Sequence, residues 1–209
     1  MLKIEDTEVV GFEAAIRGMR NPMNSWDNSD SGYSYISDVH ALIDGKLVHQ
    51  DPAEHMFCIG LNDWDLMTRL RNAGTDHRKF MRMIVVYVDI TAPLYWWKEF
   101  DTYKIGTVAN SCSTMHKIHA KEFDVNDFSH EHIEELTGDD YNMSYDFLLR
   151  TVDILNYYRK KFLETGDKVY WWQLIQLLPS SYNQRRTVML NYEVLANMYK
   201  SRCNHKLDE

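Results

Sequence analysis

The residues best suited to chemistry in this chain lie between Ala92 and His119, in the run APLYWWKEFDTYKIGTVANSCSTMHKIH. Thr107, Asn110, Ser111, Cys112, Ser113 and Thr114 are small and polar. Side chains of this kind donate and accept hydrogen bonds while leaving room for a flat ligand. Trp96, Trp97 and Phe100 precede them with a bulky apolar face. Pro93 fits a first helical turn, where its missing N–H costs nothing, and Gly106 is the expected stop. Two readings follow. Either the run is a pocket wall held by an aromatic helix, or it is a polar turn after a buried one. The Cys112 thiol invites a nucleophilic reading, but an isolated cysteine more often acts as a small buried hydrophobe.

The elements that must position this run are legible on both sides of it. Leu2, Ile4 and Val9-Val10 open a strand, and Phe12, Ala15, Ile16 and Met19 mark one face of a helix ending at Arg20. Residues 21–36, rich in Asn, Asp, Ser and Gly, read as a long loop, either a functional lid or a disordered stretch. A short helix and a turn around Asp44-Gly45 are expected over His40 to Gln50. A helix capped by Asn62 or Asp63 runs through Trp64, Met67, Leu70 and Ala73 to Gly74. Met81 to Thr91 then predicts a strand buried on both faces, the centre of the sheet, feeding directly into the Pro93 helix. Asp124 to Gly138 reads as a short acidic helix. Ser144 caps a long helix whose apolar positions are Phe147, Leu148, Thr151, Val152, Leu155, Tyr158 and Phe162, with Gly166 as the stop. Val169 to Leu178 is a further apolar helix broken by Pro179, and a last helix starts near Arg186. On such a helix Asn191 and Arg202 share a face, roughly 16 Å apart. The pattern is α+β.

Composition narrows the function. A chain of 209 residues suffices for one domain with a full core, here taken as 1–209. The net charge of −8 argues against general nucleic-acid binding, so a phosphate ligand must meet a local cluster of cations. Cys58, Cys112 and Cys203 lie far apart with no C-x-x-C, indicating neither a disulfide framework nor a zinc site. His116 and His119 form an H-x-x-H pair without a third ligand. The polar, acidic start is unlike a signal peptide and no apolar run reaches membrane-spanning length, so a soluble cytoplasmic protein with no membrane partner is expected.

Two blocks resemble the signature regions of the flavin-dependent thymidylate synthases, the ThyX family. In the first, Asn110, Ser113 and His116 fall at the spacing of the family's RHR–Ser motif, with Thr102-Tyr103-Lys104 or Tyr103-Lys104-Ile105 in the RHR slot. In the second, Leu178-Pro179, Asn191, Asn197 and Arg202 match its C-terminal block without a gap. The resemblance implies a central, mainly antiparallel sheet flanked by long helices, and a homotetramer with sites at subunit interfaces, where the paired tryptophans are partly buried. It implies reductive methylation of dUMP to dTMP, with methylenetetrahydrofolate giving the carbon, FAD the hydride, and NADPH reducing the flavin. Carried over by position, Ser113 and Arg202 bind the dUMP. Asn110, Asn191, Asn197 and Lys104 contact the FAD, as does Arg82, which stands on the central strand where the family has a His.

The departures are as specific as the matches. Met115 replaces the arginine that grips the dUMP phosphate, Glu193 replaces an arginine of the FAD block, and Ser111 replaces a glutamate. Neither Met nor Glu can do an arginine's bidentate work. Lys117, Arg185 and Arg186 are nearby cations, each also readable as a solvated surface charge. Three functions remain open: a working divergent synthase, a relative that binds flavin or nucleotide for another reaction, and a non-catalytic binding or assembly protein.

Overall fold

The computed structural model describes residues 2–35, 40–43, 46–49 and 55–204. In chain order the regular elements are β1 (Lys3–Val10), α1 (Phe12–Arg20), β2 (Gly32–Tyr35), β3 (His40–Ile43), β4 (Lys46–His49), β5 (His55–Cys58), α2 (Leu61–Asn72), β6 (Val85–Pro93), α3 (Leu94–Phe100), β7 (Val108–Ser111), α4 (Thr114–Lys117), α5 (Gly138–Thr165), α6 (Lys168–Leu177), β8 (Asn183–Asn191) and α7 (Tyr192–Arg202). The class is α+β. A four-stranded sheet has the order β1-β6-β8-β7, in which β7 runs antiparallel to β8. β2 with β5 and β3 with β4 form two antiparallel pairs.

The chain gathers into two compact units. One comprises Met1–Glu8, Val86–Leu190 and Met198–Glu209; the other comprises Val9–Val85 and Asn191–Asn197. In the second unit, Ala15, Ile16 and Met19 of α1 pack on Met67, Phe80, Met81 and Ile84. This is the apolar face that the sequence spacing marks. Gly11 precedes α1 with φ 97°, and its carbonyl accepts the first helical bond from Ala15 at 2.9 Å. Phe80 and Met81 are both buried although adjacent. Neighbouring strand residues point to opposite faces, and a strand with a single core face buries only every second side chain. Arg78–Met83 is accordingly a 3-10 helix, and the strand predicted from Met81 begins at Val85. Val86, Val88, Ile90 and Ala92 are buried while Tyr87 is exposed, so β6 has one core face rather than two.

In the first unit, Leu148, Val152 and Leu155 of α5 pack against Leu174 of α6 together with Ile118, Phe123 and Phe128. Gly166 ends α5 at φ 68°, a conformation that costs glycine little. The start differs from expectation: Thr137 is the cap and Ser144 lies inside the helix. Phe147, placed by spacing on the core face, is instead exposed. The acidic segment before α5 forms two short 3-10 turns, Val125–Asp127 and Glu131–Ile133, rather than a helix.

Three further corrections bear on the site. The last helix, expected from near Arg186, is present as α7 but starts only at Tyr192; Arg186 to Asn191 belong to strand β8, whose buried Gln184, Val188 and Leu190 alternate with more exposed residues at period two. Pro93 closes β6 and caps α3, which ends at Phe100, short of Gly106. Over His40 to Gln50 the chain forms strands β3 and β4 instead of a helix, while Asp44, Gly45, Gln50 and Ile36 lie outside the described residues.

Candidate functional site

In the first unit, α3 and the β7–β8 pair build a polar surface on an aromatic base. Trp97 is buried, and its indole N–H donates to the Gln184 carbonyl at 2.9 Å. Trp96 stacks on Phe100 with ring centroids 5.2 Å apart. The burial of Trp97 is thus internal to its own unit. Part of the small-residue run is strand: in β7, Asn110 sits opposite Thr187 and Ser111 opposite Arg186. Arg186 lays its guanidinium over Trp97, 4.1 Å from the ring centroid, and donates to Asp101 at 2.8 Å. A cavity of about 370 Å³ opens here, lined by Phe100, Asp101, Lys104, Thr107, Ala109 and Arg186. Two cations and one carboxylate leave its wall net positive.

Other residues of this unit are committed elsewhere. Ser113 caps α4, its hydroxyl accepting from the His116 N–H at 3.1 Å. Arg202, the last residue of α7, donates to the Tyr103 hydroxyl at 3.2 Å and to Glu99 at 3.0 Å. Those partners raise its pKa further, so it remains a cation whose charge is partly answered. Arg185 is answered too, by Asp89 and Asp6. Cys112 is exposed rather than buried, and only its backbone is held, by Arg185 and Gln184.

In the second unit, Arg82 and Asn197 are gathered around Glu193, whereas Asn191 lies apart from them in the hydrogen-bond pattern. Arg82 lies in the 3-10 turn before β6 and not on the central strand. It forms an ion pair with Glu193, which also accepts from Arg78 Nε at 3.1 Å. Arg78 reaches on to the Asn197 amide oxygen at 3.2 Å. Hydrogen bonding from Arg82 holds the Glu193 carboxyl below its ordinary pKa, against the cost of burial. Asn191 ends β8, and its side chain accepts from the Val194 N–H at 3.1 Å, so it caps α7 instead of lying along it. Arg78 carried no motif; the sign reversal at Glu193 was the available clue that a second cation had to answer it.

In the same unit, residues 29–31 are bonded to the start of α2. Asp63 is fully buried and paired with the buried Arg20 at 2.6 Å. Its other oxygen accepts from the hydroxyls of Ser29 at 2.7 Å and Ser31 at 2.6 Å. Asp30 in turn accepts from the N–H groups of Asn62 and Asp63, taking the capping role expected of those two residues. Burial alone would raise the Asp63 pKa, but the bonds from Ser29, Ser31 and Arg20 outweigh it and bring it below the ordinary value. An open polar cavity of about 570 Å³ adjoins this cluster, lined in part by Arg20, Asn28, Asn62 and Arg69. Among the described residues no group of three or more His, Cys, Asp or Glu is placed to hold a metal ion, and no helix is long and apolar enough to cross a membrane.

No protein-family model matches the chain, and no curated protein does either. Solved structures do. The flavin-dependent thymidylate synthase ThyX of Helicobacter pylori, complexed with FAD and dUMP, matches with a TM-score of 0.63 and 16% identity, over 98% of this chain and 86% of that one. A second structure of that enzyme with FAD and dUMP gives 0.64 and 15%, over 100% and 87%. The fold is that of ThyX. The UMP/dUMP methylase PolB of Streptomyces cacaoi, bound with 5-Br UMP, matches at 0.56 and 11%, over 95% and 75%. At these identities the likeness establishes the ThyX fold, and the chemistry rests on the residues present.

Proposed function

We propose that this chain is a ThyX-fold pyrimidine-nucleotide-binding flavoprotein that methylates dUMP reductively to dTMP, acting in the cytoplasm as a homotetramer. The carrying observation is the net-positive cavity at the β7–β8 pair, where Lys104 and Arg186 stand together beside Thr107. Its volume suits part of a nucleotide, and its two cations fit a phosphate. Trp97 and Asp101 fix Arg186 in place, which lowers the ordering cost on binding. The protein's work is then to hold the pyrimidine, exclude water and stabilise charge, with Ser113, Asn110 and Arg202 as further nucleotide and flavin contacts. Bound reduced FAD would supply the hydride, with methylenetetrahydrofolate giving the carbon and NADPH restoring the flavin.

A second reading, binding without the synthase reaction, is favoured by one observation. Glu193 answers both Arg82 and Arg78, so the cations of that cluster face an internal carboxylate. The deciding experiment is an absorbance titration of the purified chain with FAD, with and without dUMP, followed by tritium release from 5-tritiated dUMP. A flavin band perturbed by dUMP, together with tritium release, supports the synthase. A perturbed band without release supports binding alone, and a chain that ignores both ligands overturns the proposal.

A further inference from the structure

In the cavity beside the β7–β8 pair, hydrogen-bond acceptors stand next to the two cations. Arg186 is pinned from three sides. Trp97 lies against its guanidinium at 4.1 Å, Gln184 Oε1 accepts from Nε at 3.0 Å, and Asp101 Oδ1 accepts from Nη1 at 2.8 Å. Nη2 alone has no partner among the described residues, so Arg186 offers a ligand one free nitrogen rather than the two-pronged edge that grips a phosphate. Its charge is already answered by Asp101. Lys104 is exposed and makes no ion pair among the described residues. The wall therefore holds a single unanswered positive charge, on Lys104.

Two acceptors complete the wall. The Thr107 hydroxyl donates its one proton to the Tyr103 carbonyl, so its oxygen can only accept from a ligand. The Asp101 carboxylate is also acceptor-only, and its Oδ2 is uncommitted among the described residues. A phosphate oxygen brought against either group meets another acceptor, whereas a sugar hydroxyl or a ring N–H finds a partner. One phosphate at Lys104 and Arg186 Nη2, with an O–H or N–H turned toward Asp101 and Thr107, satisfies each of these groups within about 370 Å³. A second or third phosphate adds negative charge beside Asp101 with no further cation in the wall to receive it.

We propose that Asp101 sets the charge selectivity of this cavity, admitting a nucleoside monophosphate and rejecting the di- and triphosphate of the same nucleoside. The inference rests on the nucleotide reading given above and is independent of flavin chemistry. The test is titration calorimetry of the full chain with dUMP, dUDP and dUTP in the absence of divalent cations. The parent is expected to bind dUMP more tightly than dUTP by roughly tenfold or more. Asp101→Asn keeps an acceptor for Arg186 Nη1 and removes the negative charge, so the preference for dUMP over dUTP falls about tenfold, chiefly because dUTP binds better. Asp101→Glu keeps the charge and holds the preference near that of the parent. If Asp101 served only to anchor Arg186, Asp101→Asn would change the three affinities by the same factor. A preference unchanged in Asp101→Asn therefore overturns the role of Asp101 and leaves the nucleotide reading standing, and a parent that binds all three ligands equally does the same. A parent that binds none of the three overturns both.

Discussion

Arg78 and Glu193, 115 positions apart in the chain, meet through Nε and Oε1 at 3.1 Å. The second carboxylate oxygen belongs to Arg82, so one buried acid holds two guanidinium groups, and Asn197 completes the cluster. This cluster gathers two of the flavin-side positions implied by the resemblance, Arg82 and Asn197, and reverses the sign at a third, Glu193.

Glu193→Gln keeps the side chain's shape and removes its charge. The expected cost is about 1–3 kcal/mol of stability, read by urea unfolding. Because the Glu193 pKa is lowered in the folded chain, its stabilisation is complete above the ordinary value of 4.5 and is lost as pH falls through the folded pKa. The variant's penalty should therefore shrink in acid. A penalty that is flat with pH would show that the carboxylate's charge does not matter.

Asp63→Asn breaks the pair with Arg20 in a dry setting, where removing one partner strands the other. The expected loss is about 3–5 kcal/mol. Here too the folded pKa is lowered, so the contribution is present above about 3.8 and fades as pH falls below it. Thermal melts of parent and variant across that range should converge. Ser31→Ala is expected to cost less, about 1 kcal/mol, since the carboxylate keeps its other partners.

Lys104→Ala tests the proposed nucleotide cavity at its more exposed cation. It is expected to weaken nucleotide binding about tenfold while leaving the melting temperature within a degree or two of the parent, since the side chain has few packing neighbours to lose. Arg186→Ala should weaken binding and also destabilise, because that side chain stacks on Trp97. Unchanged binding in both variants would remove the cavity from consideration.

Gly11→Ala probes the turn into α1. A methyl group there meets the Met83 carbonyl, and the backbone already sits at φ 97°. A loss of about 3 kcal/mol or more is expected, whereas alanine at Gly32, where nothing lies near, should be close to neutral.

The parts of this fold legible in the sequence are those where one physical rule acts alone. Helix α1 followed from apolar spacing, the end of α5 from a glycine that tolerates positive φ, and the end of α6 from Pro179. The rest was set by competition. Arg186 to Leu190 holds both helix-tolerant and β-branched residues, and pairing with β7 decided for strand. Asp63 looked like a helix cap because its type is common there, but a buried Arg20 claimed it and left capping to Asp30. The site was partly legible in the same way. The family resemblance singled out Lys104 as a flavin contact, and it lines a cavity, whereas ion pairs between distant residues, such as Arg78 with Glu193, have no local signature.

The reciprocal bonds between residues 29–31 and the start of α2 also fix a length. Asp63 takes Ser29 and Ser31, while Asp30 takes Asn62 and Asp63, so each strand of the clasp counts the residues of the other. Adding or deleting one residue between Ser29 and Ser31 would put a wrong side chain in every partnership at once. One turn earlier the same kind of count applies, since the Ser25 N–H donates to the Arg20 carbonyl and the Arg20 guanidinium donates to the Ser25 carbonyl, across the left-handed Asn24. Homologues of this chain should therefore keep an invariant count from Arg20 to Ser25 and from Ser29 to Ser31.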